Sequence, residues 1–189
     1  MITHVIWDMG ETLNTVPNTR YDHHPLDTYP EVVLRKDAKE TLEKVKQLGF
    51  KQAILSNTAT SDTEVIKRVL TNFDIIDYFD FIYASNSELQ PGKMEKPDKT
   101  IFDFTLNALQ IDKTEAVMVG NTFESDIIGA NRAGIHAIWL QNPEVCLQDE
   151  RLPLVAPPFV IPVWDLADVP EALLLLKKIS SLPVMHYTK

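Results

Sequence analysis

The sequence has a single cysteine, Cys146. That scarcity excludes an intramolecular disulfide and any multi-cysteine zinc site, so metal chemistry here has to use oxygen ligands. Positive charge is also short: 18 Lys and Arg stand against 27 Asp and Glu, for a formal net charge of −9. Nucleic-acid surfaces and docking sites for anionic lipid both need clustered cations, so neither partner is expected. A local basic pocket remains compatible with that balance. No stretch approaches the ~18 consecutive apolar residues of a membrane span, and no basic leader precedes a long apolar segment. With the low cysteine usage, these absences predict a cytoplasmic location. There is no internal repeat and no low-complexity tract.

What is present reads as a globular domain. The 189 residues, 44% apolar and 24% charged, suit one domain with a real core. Short apolar runs at 4–7, 51–55, 79–85, 115–120, 136–141 and 159–164 predict strands. Amphipathic stretches at 35–49, 61–73, 97–109, 124–133 and 167–179 predict helices, the second capped by Ser61 or Asp62. Trp7 and Met9, flanking Asp8, are expected on opposite sides of the first strand's end. Strands alternating with helices imply right-handed crossovers and a doubly wound, three-layer α/β/α parallel sheet. Loops at 14–34 and 86–95 interrupt the alternation, 142–158 reads as a connector, and 180–189 as a tail.

In an open parallel sheet, ligands bind beyond the carboxyl ends of the strands, so the polar residues just after each strand matter most. Asp8 and Thr12 follow the first strand; Ser56, Asn57 and Thr58 follow the second. Lys96 precedes the helix at 97, and Gly120, Asn121, Thr122, Glu124, Ser125 and Asp126 follow "EAVMV". Carboxylates, hydroxyls and an ammonium converging on backbone amides can bind phosphate, and an aspartate can attack it covalently. A magnesium ion fits between such carboxylates, because it prefers oxygen ligands and shares them with substrate phosphate.

The motifs "VIWDMGETL", "ILSNT", "KPDKTIF" and "VMVGNTFESDIIGANRAGI", in that order over residues 3–141, resemble the haloacid dehalogenase superfamily. Its members are mostly phosphatases that form an aspartyl-phosphate intermediate. The resemblance implies a nucleophilic Asp8, a first loop steadied by Thr12, a phosphoryl-binding Ser56, a charge-stabilising Lys96 and a metal-site acid at Asp126. The short 14–34 insert resembles the capless branch, whose site stays open or is covered by a partner subunit. Members of that branch act on sugar phosphates, on histidine-pathway phosphates or on macromolecules, so the resemblance does not choose the substrate. A phosphorylated small molecule and a homo-oligomer covering the site are the expectation, with Asn57 and Thr58, and Arg20, Lys93 and Tyr21 on the rim loops 14–34 and 86–95, as candidate substrate contacts.

Two positions depart from the family's phosphatase pattern. The second acid of its D-x-D motif is Gly10, and the acid usually following the fourth motif's glycine is Asn121. The first change removes a proton donor whose contribution is typically ~10²–10⁴-fold in rate. The second removes an anion from a hard-cation site, leaving Asp8, the Gly10 carbonyl, the Asn121 carbonyl oxygen and Asp126 as the metal-ligand set. Three functions compete on these residues. One is a magnesium-dependent phosphatase in which Glu11, His23 or His24 replaces the missing acid. The others are a metal-independent dehalogenase-like hydrolase and a ligand-binding scaffold that has lost its chemistry.

Overall fold

Six apolar runs become six parallel strands: β1 (His4–Trp7), β2 (Lys51–Ser56), β3 (Phe81–Ala84), β4 (Ala116–Gly120), β5 (His136–Leu140) and β6 (Val160–Val163). They lie in the order β3-β2-β1-β4-β5-β6. β1 is therefore central, with Ile6 opposite Ala53 on one side and Met118 on the other. The chain moves outward from β1 in one direction and then in the other, and the crevice where the order reverses lies at the carboxyl ends of β1 and β4. The computed structural model describes residues 1–16, 24–87, 92–141 and 158–181. Arg20, Tyr21, His23, most of the 142–158 connector and the tail beyond 181 lie outside them.

Period-two alternation distributes the strand side chains between two helical layers. Val5, Trp7, Ile54, Val117, Val119 and Leu140 point toward α1 (Ala38–Gln47), α2 (Thr63–Asn72) and α5 (Val169–Ser180). Ile6, Leu55 and Met118 point the other way, onto α3 (Lys99–Leu109) and α4 (Gly129–Ala133). Trp7 and Met9 share the first cluster rather than facing apart, as residues two apart along an extended chain must. Burying a side chain such as fully covered Trp7 or Phe102 is worth about 1.5–3 kcal/mol. The indole N–H of Trp7 donates to Gln52 Oε1 at 3.0 Å, and Gln52 Nε2 donates to the Leu42 carbonyl.

Helix boundaries follow local capping chemistry. Asp62, not Ser61, caps α2 by accepting from the Val65 amide at 2.9 Å. Asp98 caps α3, which begins at Lys99 rather than at Pro97. The stretch expected as one helix over 124–133 divides into a π-helical turn, Phe123–Ile128, and the short α4. No helix among the described residues is long and apolar enough to cross a membrane.

Candidate active site

The site forms where β1, β2 and β4 end. β1 delivers Asp8, and the turn behind it delivers Thr12, which is fully buried. The Thr12 hydroxyl lies 3.2 Å from Asp8 Oδ2 and 3.0 Å from Asn121 Oδ1, so its proton serves either acceptor. β4 delivers Asn121, whose backbone carbonyl accepts from the Trp139 indole at 3.1 Å. Asp126 reaches back from the π-helical turn, where its Oδ2 accepts from the Thr122 amide at 2.9 Å. That return path explains Gly120: a Cβ there would stand 2.3 Å from Asp126 Oδ2, so only glycine allows the carboxylate to fold over the end of β4. The wider π turn accommodates the same approach, in keeping with the tendency of such turns to occur at functional sites.

Lys96 joins the two carboxylates. Its Nζ donates to Asp8 Oδ1 at 2.8 Å and to Asp126 Oδ1 at 2.6 Å, with all three side chains buried. Burial alone would lower the Lys96 pKa, but the charges of Asp126 and Asp8 outweigh it and hold the ammonium above its usual value. Burial pushes Asp126 up to about 6, with Asp8 adding to the rise and Lys96 opposing it. With both carboxylates ionised, the cluster carries one net negative charge.

Two neighbours fix the lysine. Asn57, exposed at the end of β2, donates from Nδ2 to the Lys96 carbonyl at 2.6 Å and accepts the Lys96 amide on Oδ1 at 2.9 Å. On the other side, a Cβ on Gly129 would lie 2.9 Å from the Pro97 Cα, so glycine lets α4 press against the Lys96–Pro97 segment.

The expected site residues thus separate into groups. Asp8, Thr12, Lys96, Asn121 and Asp126 come together. Ser56 is buried at the end of β2, and its hydroxyl makes no hydrogen bond to the described residues. It lines a pocket of about 220 Å³ together with Met9, Gly10, His24 and Leu26. Asn57 and Thr58 also line that pocket, yet their polar groups are engaged within the protein. Asn57 braces Lys96, while the Thr58 hydroxyl donates to the Ser61 carbonyl at 2.6 Å and accepts from the Asn86 amide. Lys93 is exposed. Glu11, considered as a replacement acid, takes a left-handed backbone conformation (φ 57°) and accepts the Val16 amide on Oε1 at 2.8 Å. Its backbone carbonyl accepts from Arg35 Nη1. The bracing role of Asn57 and the close approaches at Gly120 and Gly129 escaped the sequence. Only the position of Gly120 between a strand and the last acid hinted at one of them.

The donor chemistry suits a hard cation. Asp8, Asn121, Asp126 and the Gly10 carbonyl offer oxygen only, and magnesium takes one or two carboxylates plus substrate oxygens. Among the described residues no third acidic side chain, histidine or cysteine completes a protein-only cage. Such a site would depend on the substrate for part of its coordination.

Known proteins resemble this chain. The chain is 37% identical over 114 residues to a ribulose-1,5-bisphosphate 5-phosphatase from Halopiger xanaduensis, covering 60% of this chain and 45% of that one. It is 30% identical over 105 residues to a glyceraldehyde 3-phosphate phosphatase from Pyrococcus abyssi, covering 55% and 41%. The matched stretch thus spans less than half the length of these relatives. A crystal structure of a protein from Listeria monocytogenes serotype 4b superposes with a TM-score of 0.87 at 98% identity, covering 94% of this chain and 99% of that one. A family model described as haloacid dehalogenase-like hydrolase matches residues 4–140, and the chain belongs to that family.

Proposed function

We propose that this protein is a phosphoric monoester hydrolase in which Asp8 is the nucleophile and Mg²⁺ the cofactor. The observation that carries the proposal is the Lys96 ammonium, 2.8 Å from Asp8 and 2.6 Å from Asp126, beside a pocket lined by Ser56, whose hydroxyl makes no hydrogen bond among the described residues. A scaffold has no use for three buried charges aimed at one crevice, since each costs desolvation.

In this mechanism an Asp8 oxygen attacks phosphorus, and the Asp8–phosphorus bond forms as the ester bond breaks. Water then cleaves that bond, releasing inorganic phosphate and restoring the carboxylate. Thr12 holds the Asp8 side chain in its attacking orientation. Ser56 donates to a phosphoryl oxygen, and Lys96 offsets charge on the nucleophile and the transferring group. The magnesium ion, held by Asp8, the Gly10 carbonyl, Asn121 and Asp126, would add electrostatic stabilisation of the phosphoryl oxygens.

The named activities of the Halopiger and Pyrococcus relatives support a small phosphorylated metabolite as substrate. A single 3-10 turn, Leu26–Thr28, among the described residues between Thr12 and α1 supports a capless site, which a second copy of the chain would cover. The test is turnover of 4-nitrophenyl phosphate and a panel of sugar phosphates with Mg²⁺. Hydrolysis that Asp8→Asn abolishes is expected. No Asp8-dependent turnover would overturn the proposal, and metal-independent halide release from a 2-haloacid would redirect it to the dehalogenase chemistry.

A further inference from the structure

Gly10 leaves the phosphohydrolase chemistry proposed above without its usual proton donor, so some other group has to protonate the leaving oxygen. Glu11 is not among the residues lining the pocket, and its carboxylate caps the Val16 amide. Asp126 and Lys96 are bonded to one another. The other described polar residues that line the pocket, His24 apart, are serine, threonine and asparagine, none of which gives up a proton near neutral pH. Among the described residues, one titratable side chain lines the same pocket as Gly10 and Ser56, and that is His24.

His24 is held over the pocket by the loop that follows β2. Its carbonyl accepts from Thr60 Oγ1 at 3.0 Å, and two residues on, the Leu26 amide donates to Ser61 Oγ at 2.9 Å. Arg68 on α2 then clamps Asp27 at 2.6 Å. These three tethers hold the backbone from His24 to Asp27; His24 is exposed and lines the pocket, with its ring tilted against Tyr29 at 6.5 Å between ring centres. Its ring nitrogens make no hydrogen bond to the described residues, so both are available to a ligand.

We infer that His24 is the acid–base residue of this site, standing in for the carboxyl group absent at Gly10; the inference rests on the phosphohydrolase function proposed above. As Asp8 attacks and the phosphorus–oxygen ester bond breaks, the imidazolium gives its proton to the departing oxygen. The neutral imidazole then takes a proton from the water that cleaves the Asp8–phosphorus bond. The sum is ester plus water giving alcohol plus phosphate, with His24 returned to its protonated form.

Two esters of similar shape separate proton donation from binding. Nitrophenolate departs from 4-nitrophenyl phosphate with little need of a proton, whereas the phenolate of phenyl phosphate needs one. Single-turnover release of the alcohol from each, with Mg²⁺, compares the native protein with His24→Gln. The expected result is a loss about 10²-fold larger for phenyl phosphate than for 4-nitrophenyl phosphate. Gly10→Asp added to His24→Gln should restore phenyl phosphate turnover at least about tenfold, because an acid regains the vacant position. A Cβ at Gly10 meets only Val16 Cγ1 at 3.2 Å, a side-chain contact that can give way. Equal losses on the two esters, no loss on either, or a native protein that cleaves 4-nitrophenyl phosphate alone would each overturn the role of His24. A native protein that cleaves neither ester would overturn the phosphohydrolase function instead.

Discussion

At the ends of β1 and β4 the cleft is held by three buried ionisable side chains, Asp8, Asp126 and Lys96, each bonded to another. After β2 the opposite wall, Ser56–Ser61, carries no charge; it is stitched by the Thr58 hydroxyl to the Ser61 carbonyl and by Ser61 to the Leu26 amide. The two walls differ in what they tolerate. A buried charge is stable only with its partner, so removing one member of the charged wall leaves the rest uncompensated. A neutral hydroxyl costs about one hydrogen bond when lost. The charged wall suits chemistry that needs fixed potential, and the neutral wall suits a substrate pocket that can be re-cut without unfolding the domain.

The largest test of that contrast is Lys96→Ala. It strands two buried carboxylates and should cost about 3–5 kcal/mol in denaturant unfolding, with activity lost. The pKa of Asp126 should rise beyond about 6, because Lys96 is the stronger of the two groups, with the Thr122 amide, that hold it down.

Next comes pH. The Asp126 carboxyl is raised from 3.8 to about 6, chiefly by burial. An acid raised on folding contributes stability while it is protonated, so the contribution is fully present below 3.8 and is lost as pH rises through about 6. Asp126→Asn should abolish that loss: urea midpoints across this window should fall with pH more steeply in the native protein than in the variant.

Gly120→Ala comes third. The new methyl would collide with Asp126 at 2.3 Å, and such overpacking should destabilise by about 1–3 kcal/mol and release the Thr122–Asp126 bond. The smallest effect belongs to the neutral wall. Ser61→Ala removes the Leu26 tether and should cost about 1 kcal/mol by thermal unfolding, with the Asp8–Lys96–Asp126 cluster intact. A Ser61 effect as large as that of Lys96 would erase the distinction between the walls.

Much of this architecture was legible in the chain. Short uninterrupted apolar runs such as those around Ile6, Ile54 and Val117, alternating with amphipathic stretches, fit strands buried on both faces, and in a parallel sheet the residue after such a run falls at the crevice. That rule alone placed Asp8, Ser56 and Asn121. Lys96 and Asp126 needed the order of motifs as well, since neither directly follows a strand. What stayed hidden depends on distances between segments remote in sequence. Asn57 is polar and stands at a strand end, as a substrate contact would, yet its partner is a backbone 39 residues away. The π-helical turn likewise has no periodicity signature over six residues.

Asn57 carries one further consequence. Ser56 and Asn57 are neighbours, so the hydroxyl residue lining the pocket and the brace on the Lys96 backbone belong to a single strand end. A shift of β2 relative to the sheet would carry both groups along together. The spacing between Ser56 and the Lys96 backbone is thus set by one peptide unit and two hydrogen bonds, and a loop insertion between β3 and Lys96 can change length without retuning it.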